Sequence, residues 1–440
     1  MERTPGFGIA SSGALCFCFH PMRFSTLLCA ALSFATAFAL SSCKRAEGWS
    51  QLRGPRQGHA EAKGLPVEWS ELKNLKWKTE LPGEGWSSPV TDGKQVWMTT
   101  ATEEGKSLRA VCCDFESGKV LMDLEVFRNE TVPAKHKRNS YASPTPILDG
   151  KRIYIDFGPM GIACLFTKDG KKVWESRELQ CDLQNGPGGS LALHDGKLLA
   201  ACDGIDVQYG AALDAKTGKL CWKVERSGKE KLFKKPGDMR KAYGTPIVFT
   251  IDGRATALTC GAERLYAQDP ATGAELWYVD YPGFSNVPTP VFDGKQIYVC
   301  TGFGKPELWA IKTGGLKGDV TASHVIWKQK KGAPDQSTPV VVGGRLYMVS
   351  SGGIASCINT ATGDIVWSER IGADFAASPL CIDGKLYFCD AVEKQKVIAA
   401  SDTFNVLGKG ELPGGCMATP AVAGKSLLVR TKTALYRIAQ

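Results

Sequence analysis

The chain has 440 residues, of which 43% are hydrophobic and 22% charged, and carries a formal net charge of +9. These values are ordinary for a globular protein and exclude a disordered or collagen-like chain. Apart from short basic runs at 135–138 and 229–235 the charge is scattered. Solvated loops explain it better than nucleic-acid binding, and any preference would be for anionic surfaces or acidic proteins.

In chain order, the first element is a targeting segment. Met22 and Arg23 precede an uncharged apolar run at 24–40, which ends in Leu40-Ser41-Ser42-Cys43. A basic start, a short apolar core and small residues at the end describe an export signal. The run is marginal in length for a membrane span. Small residues directly before a cysteine resemble the bacterial lipobox, which makes Cys43 the expected lipidation site. Plain secretion and a retained anchor are the alternatives. The signal reads best from Met22, because residues 1–21 lack such a pattern. Lys44 is not the aspartate that holds lipoproteins at the inner membrane, so the periplasmic face of the outer membrane is expected. Residues 44–74 read as a linker.

From residue 75 the chain repeats one grammar eight times. A Ser/Thr-Pro step opens each copy, followed by a short apolar run, an Asp-Gly turn, an alternating strand, a third strand, a Thr-Gly turn and a tryptophan. The proline or its equivalent falls at Pro89, Pro146, about Ser190, Pro246, Pro290, Pro339, Pro379 and Pro420. Pairs such as Asp92-Gly93, Asp149-Gly150, Asp293-Gly294 and Asp383-Gly384 predict two-residue hairpins with positive φ at both residues. A lone four-stranded sheet has two apolar faces and two exposed edges, and stacking such sheets about an axis buries the faces. The expected fold is therefore all-β, an eight-bladed β-propeller spanning 75–440.

A tryptophan stands four residues after the turn glycine at Trp174, Trp222, Trp277 and Trp367. Trp327 fills the place after an insertion, Met122 takes it in the first blade, and the seventh blade has none. The eighth blade lacks its fourth strand. The segment around Trp77 is expected to supply that strand and close the ring. The tryptophans read as blade-to-blade cement, each able to bury ~150–250 Å².

The phrase Ala-x-Asp-x-x-Thr-Gly-x-x-x-Trp, present from Ala212 to Trp222 and from Ala267 to Trp277, resembles the repeat of the quinoprotein-like propellers. Two groups share that fold: pyrroloquinoline-quinone (PQQ) dehydrogenases and non-catalytic BamB-type lipoproteins that assist assembly of outer-membrane barrels. Longer phrases, such as Asn139-Ser140-Tyr141-Ala142-Ser143-Pro144 and Gly283-Phe284-Ser285-Asn286-Val287-Pro288, resemble exported propellers of planctomycete-type bacteria. No activity carries over from those.

Cys112, Cys164 and Cys357 lie six residues before the turn glycine, where other blades have alanine, and read as small apolar core residues, with one or two disulfides as the alternative in an exported chain. The adjacent pair Cys112-Cys113 sits within a strand, whose neighbouring side chains point to opposite faces, and not in a cysteine ring over a cofactor. A quinone site needs a cation held by oxygen ligands and a base, and Asp203 and Asp206, beside Tyr209, are the nearest candidates. Capping of a tight loop is the competing role for both. Residues just before each first strand should ring one mouth of the central channel: Trp86, Asn139, Tyr141, Asn185, Tyr243, Asn286 and Gln336. No catalytic residue or metal ligand is assigned. The expected function is an exported, lipid-anchored, monomeric scaffold that binds envelope proteins through loops at 126–140 and 229–240 or through strand edges, without a cofactor and without nucleic acid. A dehydrogenase of an alcohol or sugar using PQQ and calcium, and a small-ligand sensor, are the alternatives.

Overall fold

The computed structural model describes residues 48–440; the stretch read as an export signal and Cys43 lie outside them. Eight antiparallel sheets follow one another in sequence order. Blade 1 consists of Val90–Thr91, Gln95–Thr102, Ser107–Asp114 and Val120–Arg128. Blades 2 to 7 begin at Ile147, Ala192, Ile247, Val291, Val340 and Leu380. Blade 8 has Ala421–Ala423, Ser426–Arg430 and Ala434–Ile438, and its outer strand is Leu75–Glu80, with Trp77 opposite Arg437. The ring is thus closed as the sequence implied, by chain from before blade 1.

The Asp-Gly hairpins are not all alike: at Asp149-Gly150 the aspartate is the last strand residue, paired with Arg152, and only Gly150 has positive φ. At Asp195-Gly196, Asp252-Gly253 and Asp383-Gly384 both residues have positive φ. At Asp92-Gly93 and Asp293-Gly294 only the glycine does. There the aspartate stays on the ordinary side of φ and its Oδ1 accepts two following N–H groups, from Lys94 and Gln95 or from Lys295 and Gln296. The side chain replaces part of the turn's backbone bonding, so the strained conformation is not needed.

The tryptophans act as cement through a repeated bond. The indole N–H of Trp174 donates to Ala215 O (3.1 Å), that of Trp222 to Pro270 O (3.2 Å) and that of Trp327 to Thr360 O (2.9 Å). Trp77 does the same to Phe115 O (3.0 Å) across the closure. In each case the acceptor lies three residues before the turn glycine of the next blade. The indole also covers that glycine: a Cβ on Gly118, Gly218, Gly273 or Gly363 would meet the ring at 2.5–2.7 Å. Glycine is required there by both its positive φ and this close approach. In blade 1 Met122 sits in the tryptophan register opposite Cys112, while Leu124 covers Gly170 of blade 2. Trp277 is covered differently. The insertion of blade 5 adds Gly318–Asp319 parallel to the outer strand of blade 4, directly beside it.

A β-bulge recurs where each outer strand meets the small-residue position, as between Ala212 and Leu213 or between Cys357 and Ile358. The extra residue turns outward, which exposes Leu121, Ile326, Val366 and Leu407 while the following residue is aimed inward.

The stretch read as a linker is packed from Gly48 onward. Trp49 pairs with Thr91 of blade 1 and Ser50 O accepts Leu148 N of blade 2. Gln57 exchanges bonds with Phe292 of blade 5, and His59–Ala60 pairs parallel with Leu380–Ile382 of blade 7. Residues 48–60 therefore cross the axis along the innermost strands and close that end of the channel. The chain then runs outward along blade 7, where Trp69 bridges to Gly410 and stacks on Tyr387 with ring centroids 6.2 Å apart. In blades 2, 5 and 6 the same tyrosine position meets that blade's own tryptophan at 6.2, 5.9 and 6.0 Å. Blade 7 has Gly408 in the tryptophan register, opposite Val397, and a Cβ there would strike Val67 O at 2.2 Å. Its missing cement residue is supplied by the N-terminal segment.

Candidate functional site

Because residues 48–60 close one end, the channel is a cup. Its volume is about 570 Å³ and Leu52 forms part of its floor. The wall comes from the Ser or Thr before the inner strand of each of the eight blades: Ser88, Thr145, Ser190, Thr245, Thr289, Thr338, Ser378 and Thr419. In all but blade 3, where Leu191 follows Ser190, the next residue is proline; it has no N–H, so in those seven blades the last donor before the inner strand belongs to the Ser/Thr residue. That N–H reaches the hydroxyl of the next blade. Ser88 N donates to Thr145 Oγ1 (3.0 Å), Thr145 N to Ser190 Oγ (2.9 Å) and Ser190 N to Thr245 Oγ1 (2.9 Å). Across the ring, Thr289 N donates to Thr338 Oγ1 (3.0 Å), Thr338 N to Ser378 Oγ (3.0 Å) and Ser378 N to Thr419 Oγ1 (3.1 Å). Among the described residues this bond joins six of the eight blade junctions, so the step that marks each blade in the sequence also forms a hydroxyl belt of two hydrogen-bonded arcs, from blade 1 to 4 and from blade 5 to 8.

Five of the expected mouth residues meet at this cup: Trp86, Asn139, Asn185, Tyr243 and Gln336. Trp86 donates to Arg138 O (3.1 Å), and the Arg138 guanidinium pairs with Asp374, joining the entries of blades 2 and 7 over the opening. Asn139 Nδ2 donates to Asn185 O (2.8 Å) and Pro187 O (2.9 Å), so its amide clips two entry loops together. Tyr243 donates to Leu183 O (2.8 Å), and burial raises its pKa.

The other two expected mouth residues, Tyr141 and Asn286, and the three quinone-site candidates sit elsewhere. Tyr141 donates to Pro133 O (2.9 Å) and its ring covers Gly105. Asn286 is fully buried and donates to Cys300 O (2.7 Å) and to Tyr281. Tyr209 donates to Gln180 O (2.9 Å), outside the cup. Asp206 Oδ1 accepts Asp182 N (2.7 Å), a loop cap. Asp203 is buried in a two-point ion pair with Arg226, at 2.9 and 3.1 Å, and Arg226 also holds Gln268 Oε1 (2.8 Å). Both carboxylate oxygens of Asp203 are thus taken up by the Arg226 guanidinium. The belt hydroxyls, His136, Arg138, Asp238 and Asp335 line the cup and were missed as site residues; the repeated Ser/Thr-Pro step was the available signal.

Among the described residues no three His, Cys, Asp or Glu side chains are grouped to hold a metal ion. The two carboxylates of the cup are engaged by other groups, Asp238 by the fully buried Lys241 and Asp335 by the Ser351 hydroxyl. This donor set does not fit a calcium-bound quinone, which needs several free oxygen ligands and a base. The described cysteines are unbridged, and all except Cys221 are buried. Burial pushes the Cys113 thiol up to about 12, so it stays protonated and inert as a nucleophile.

Beside the cup, Asp156 is buried and accepts only the N–H of Gly158 (2.7 Å). Burial raises its pKa to about 7, with the Gly158 bond opposing. The native state therefore holds this proton more tightly than the unfolded chain does. Its contribution to stability is present below about pH 4 and falls as the pH rises toward 7. Asp156→Asn keeps the acceptor and removes the titration. Denaturant unfolding at a series of pH values should show that the variant loses less stability than wild type between pH 4 and 7. An identical slope in both proteins would contradict the assignment.

The family described as outer membrane protein assembly factor BamB matches residues 208–318 and 317–407. That match covers somewhat less than half of the chain. Together with the eight closed blades and the Thr-Gly-to-Trp cement, it supports a PQQ-repeat propeller. Among solved structures, BamB from Moraxella catarrhalis is 13% identical with a TM-score of 0.59, over 83% of this chain and 97% of that one. A europium-containing methanol dehydrogenase is 12% identical with a TM-score of 0.62, over 88% and 90%. The computationally designed Ika8 protein is 11% identical with a TM-score of 0.56, over 85% and 100%. At such identities the likeness of the PQQ-repeat chain to these structures is one of fold. No curated protein sequence matches it.

Proposed function

We propose that this protein is an exported, lipid-anchored and non-catalytic scaffold that binds other proteins in the cell envelope, as BamB-type propellers do. The observation that carries this reading is the placement of its irregular segments. The extensions entering blade 2 and blade 4 both reach the rim of the cup, through His136 and Arg138 and through Asp238. The opposite end is occupied by residues 48–60 and the short Asp-Gly turns. One face thus presents variable, charged loops on a rigid ring, which is how a scaffold offers a partner surface. The same reading accounts for the neutralised Asp203 and the engaged carboxylates of the cup, which a quinone-dependent dehydrogenase would need free. The apolar run before Cys43 supports the anchor, and a Cys43→Ser variant tests it by loss of the membrane-bound form.

The scaffold role is tested by photocrosslinking in cells. A crosslinking residue in place of Lys137 or Lys231, on the cup face, should trap a discrete envelope protein. The same residue in place of Gly196, in a hairpin at the opposite end, should not. Equal labelling from both faces, or none from the cup face, would refute the proposed docking face.

A further inference from the structure

The hydroxyl belt leaves an unspent set of donors. Thr145, Ser190, Thr245, Ser378 and Thr419 each receive a backbone N–H on the hydroxyl oxygen. Among the described residues none of these five hydroxyls donates to a protein group, and all five line the cup. With the lone-pair side turned to the belt, the O–H bonds are left for whatever occupies the cup.

Two buried arginines stand behind this belt. Arg53, in the floor segment, donates to Pro339 O (2.6 Å), the carbonyl next to Thr338. Arg430 of blade 8 donates to Ser87 O (3.0 Å), next to Ser88. Arg53 is 3% exposed and Arg430 fully buried. Arg53 Nε and Nη1, and Arg430 Nε and Nη2, have no hydrogen-bond partner among the described residues. Burial pushes both guanidinium groups down to about 9, and neither has a neighbouring carboxylate that offsets it. Buried charges are ordinarily paired, because an uncompensated ion in a low-dielectric interior costs several kcal/mol. Arg226 shows the ordinary solution in this same protein, with Asp203. The carboxylates that line the cup belong to its entry side: Asp238 lies in the extension before blade 4, and Asp335 three residues before Thr338. The deep cup therefore combines inward O–H donors with the field of two unpaired cations.

We propose that the floor of the cup binds a small oxyanion, a carboxylate or phosphate group, held by the belt hydroxyls and electrostatically favoured by Arg53 and Arg430. Neither arginine lines the cup, and neither need touch the ligand: the field of a buried charge behind the wall is screened less than that of a surface charge. The inference is independent of the scaffold reading, because it concerns binding to the isolated protein.

The test is calorimetric titration of the full-length chain in a neutral detergent, at fixed ionic strength, with inorganic phosphate and separately with citrate. One saturable site per chain is expected for at least one of them. Saturation by phosphate alone assigns a phosphoryl ligand, and by citrate alone a carboxylate ligand. Arg53→Met should weaken binding about tenfold, a change of about 1.4 kcal/mol. That variant should still fold, since it removes a stranded charge. Thr145→Val should also weaken binding, while Thr145→Ser, which restores the hydroxyl, should bind as wild type does. If Thr145→Val unfolds, Arg53→Met and Thr145→Ser carry the test. The proposal is overturned if neither probe saturates, or if Arg53→Met binds as tightly as wild type, which would mark the ion as an adventitious surface guest.

Discussion

Replacing Trp69 by alanine is expected to destabilise the propeller by about 3–5 kcal/mol, the range for truncating a buried tryptophan. Trp69 is only 3% exposed although it lies outside every repeat. Its indole N–H donates to Gln395 Oε1 (3.2 Å), its ring stacks on Tyr387, and its backbone joins the outer strand of blade 7 through Lys409 O and Glu411 N. Blade 7 cannot compensate from its own sequence, because Gly408 and Gly410 are shaped around this visitor: a Cβ on Gly410 would meet the indole at 2.2 Å. Loss of Trp69 therefore opens a cavity between Gly410 and the Tyr387 ring, where Gly410 has no side chain to collapse inward. Trp77→Ala is the calibrating variant. Trp77 is half-buried and closes the ring by an indole bond to Phe115 O (3.0 Å), so its loss should be measurable but smaller. Chemical denaturation of the two variants ranks them directly. If Trp69→Ala unfolds with wild-type midpoint and slope, the N-terminal segment is an ornament on the ring and not part of its cement. A Trp77→Ala protein of unchanged stability would count against closure by Leu75–Glu80.

That contrast shows where the sequence was legible. Trp77 could be placed because blade 8 runs out at Ile438 and a strand-like segment with a tryptophan precedes blade 1; repeat counting alone requires the swap. Trp69 could not, because it pairs parallel to its partner, from outside the repeat, against a glycine whose emptiness carries no pattern. The cup was half legible for a similar reason. Position before an inner strand puts Trp86, Asn185 and Gln336 at the mouth whatever their chemistry. The same rule misplaced Asn286, whose amide is drawn inward by the buried Cys300 carbonyl, and Tyr141, whose ring is needed to cover Gly105. The belt was visible as Ser/Thr-Pro punctuation, yet its hydroxyl bonds join residues 40–57 positions apart, a separation that local reading does not bridge.

The second large effect is expected at Asp203. Asp203→Ala should cost about 3–5 kcal/mol, because it strands Arg226 without its counter-ion in the interior. Asp203 is 2% and Arg226 3% exposed, and the pair is made at two points, 2.9 and 3.1 Å. Burial works against the Arg226 charge, and the neighbouring Asp203 outweighs it, so the guanidinium is held above its ordinary pKa. The Arg226 plane also lies 4.4 Å from the centre of the Tyr266 ring. The interaction ties the second strand of blade 3 to the loop after its outer strand and, through Gln268, to blade 4. The double variant Asp203→Ala with Arg226→Met separates two explanations. If the stranded cation causes the loss, the added methionine should recover most of the stability, since a buried ion pair is commonly replaced by apolar side chains at little cost. If Asp203 instead matters for the shape of the loop at 204–207, the double variant should stay as unstable as the single one. Recovery would identify Asp203 as the structural counter-ion of Arg226.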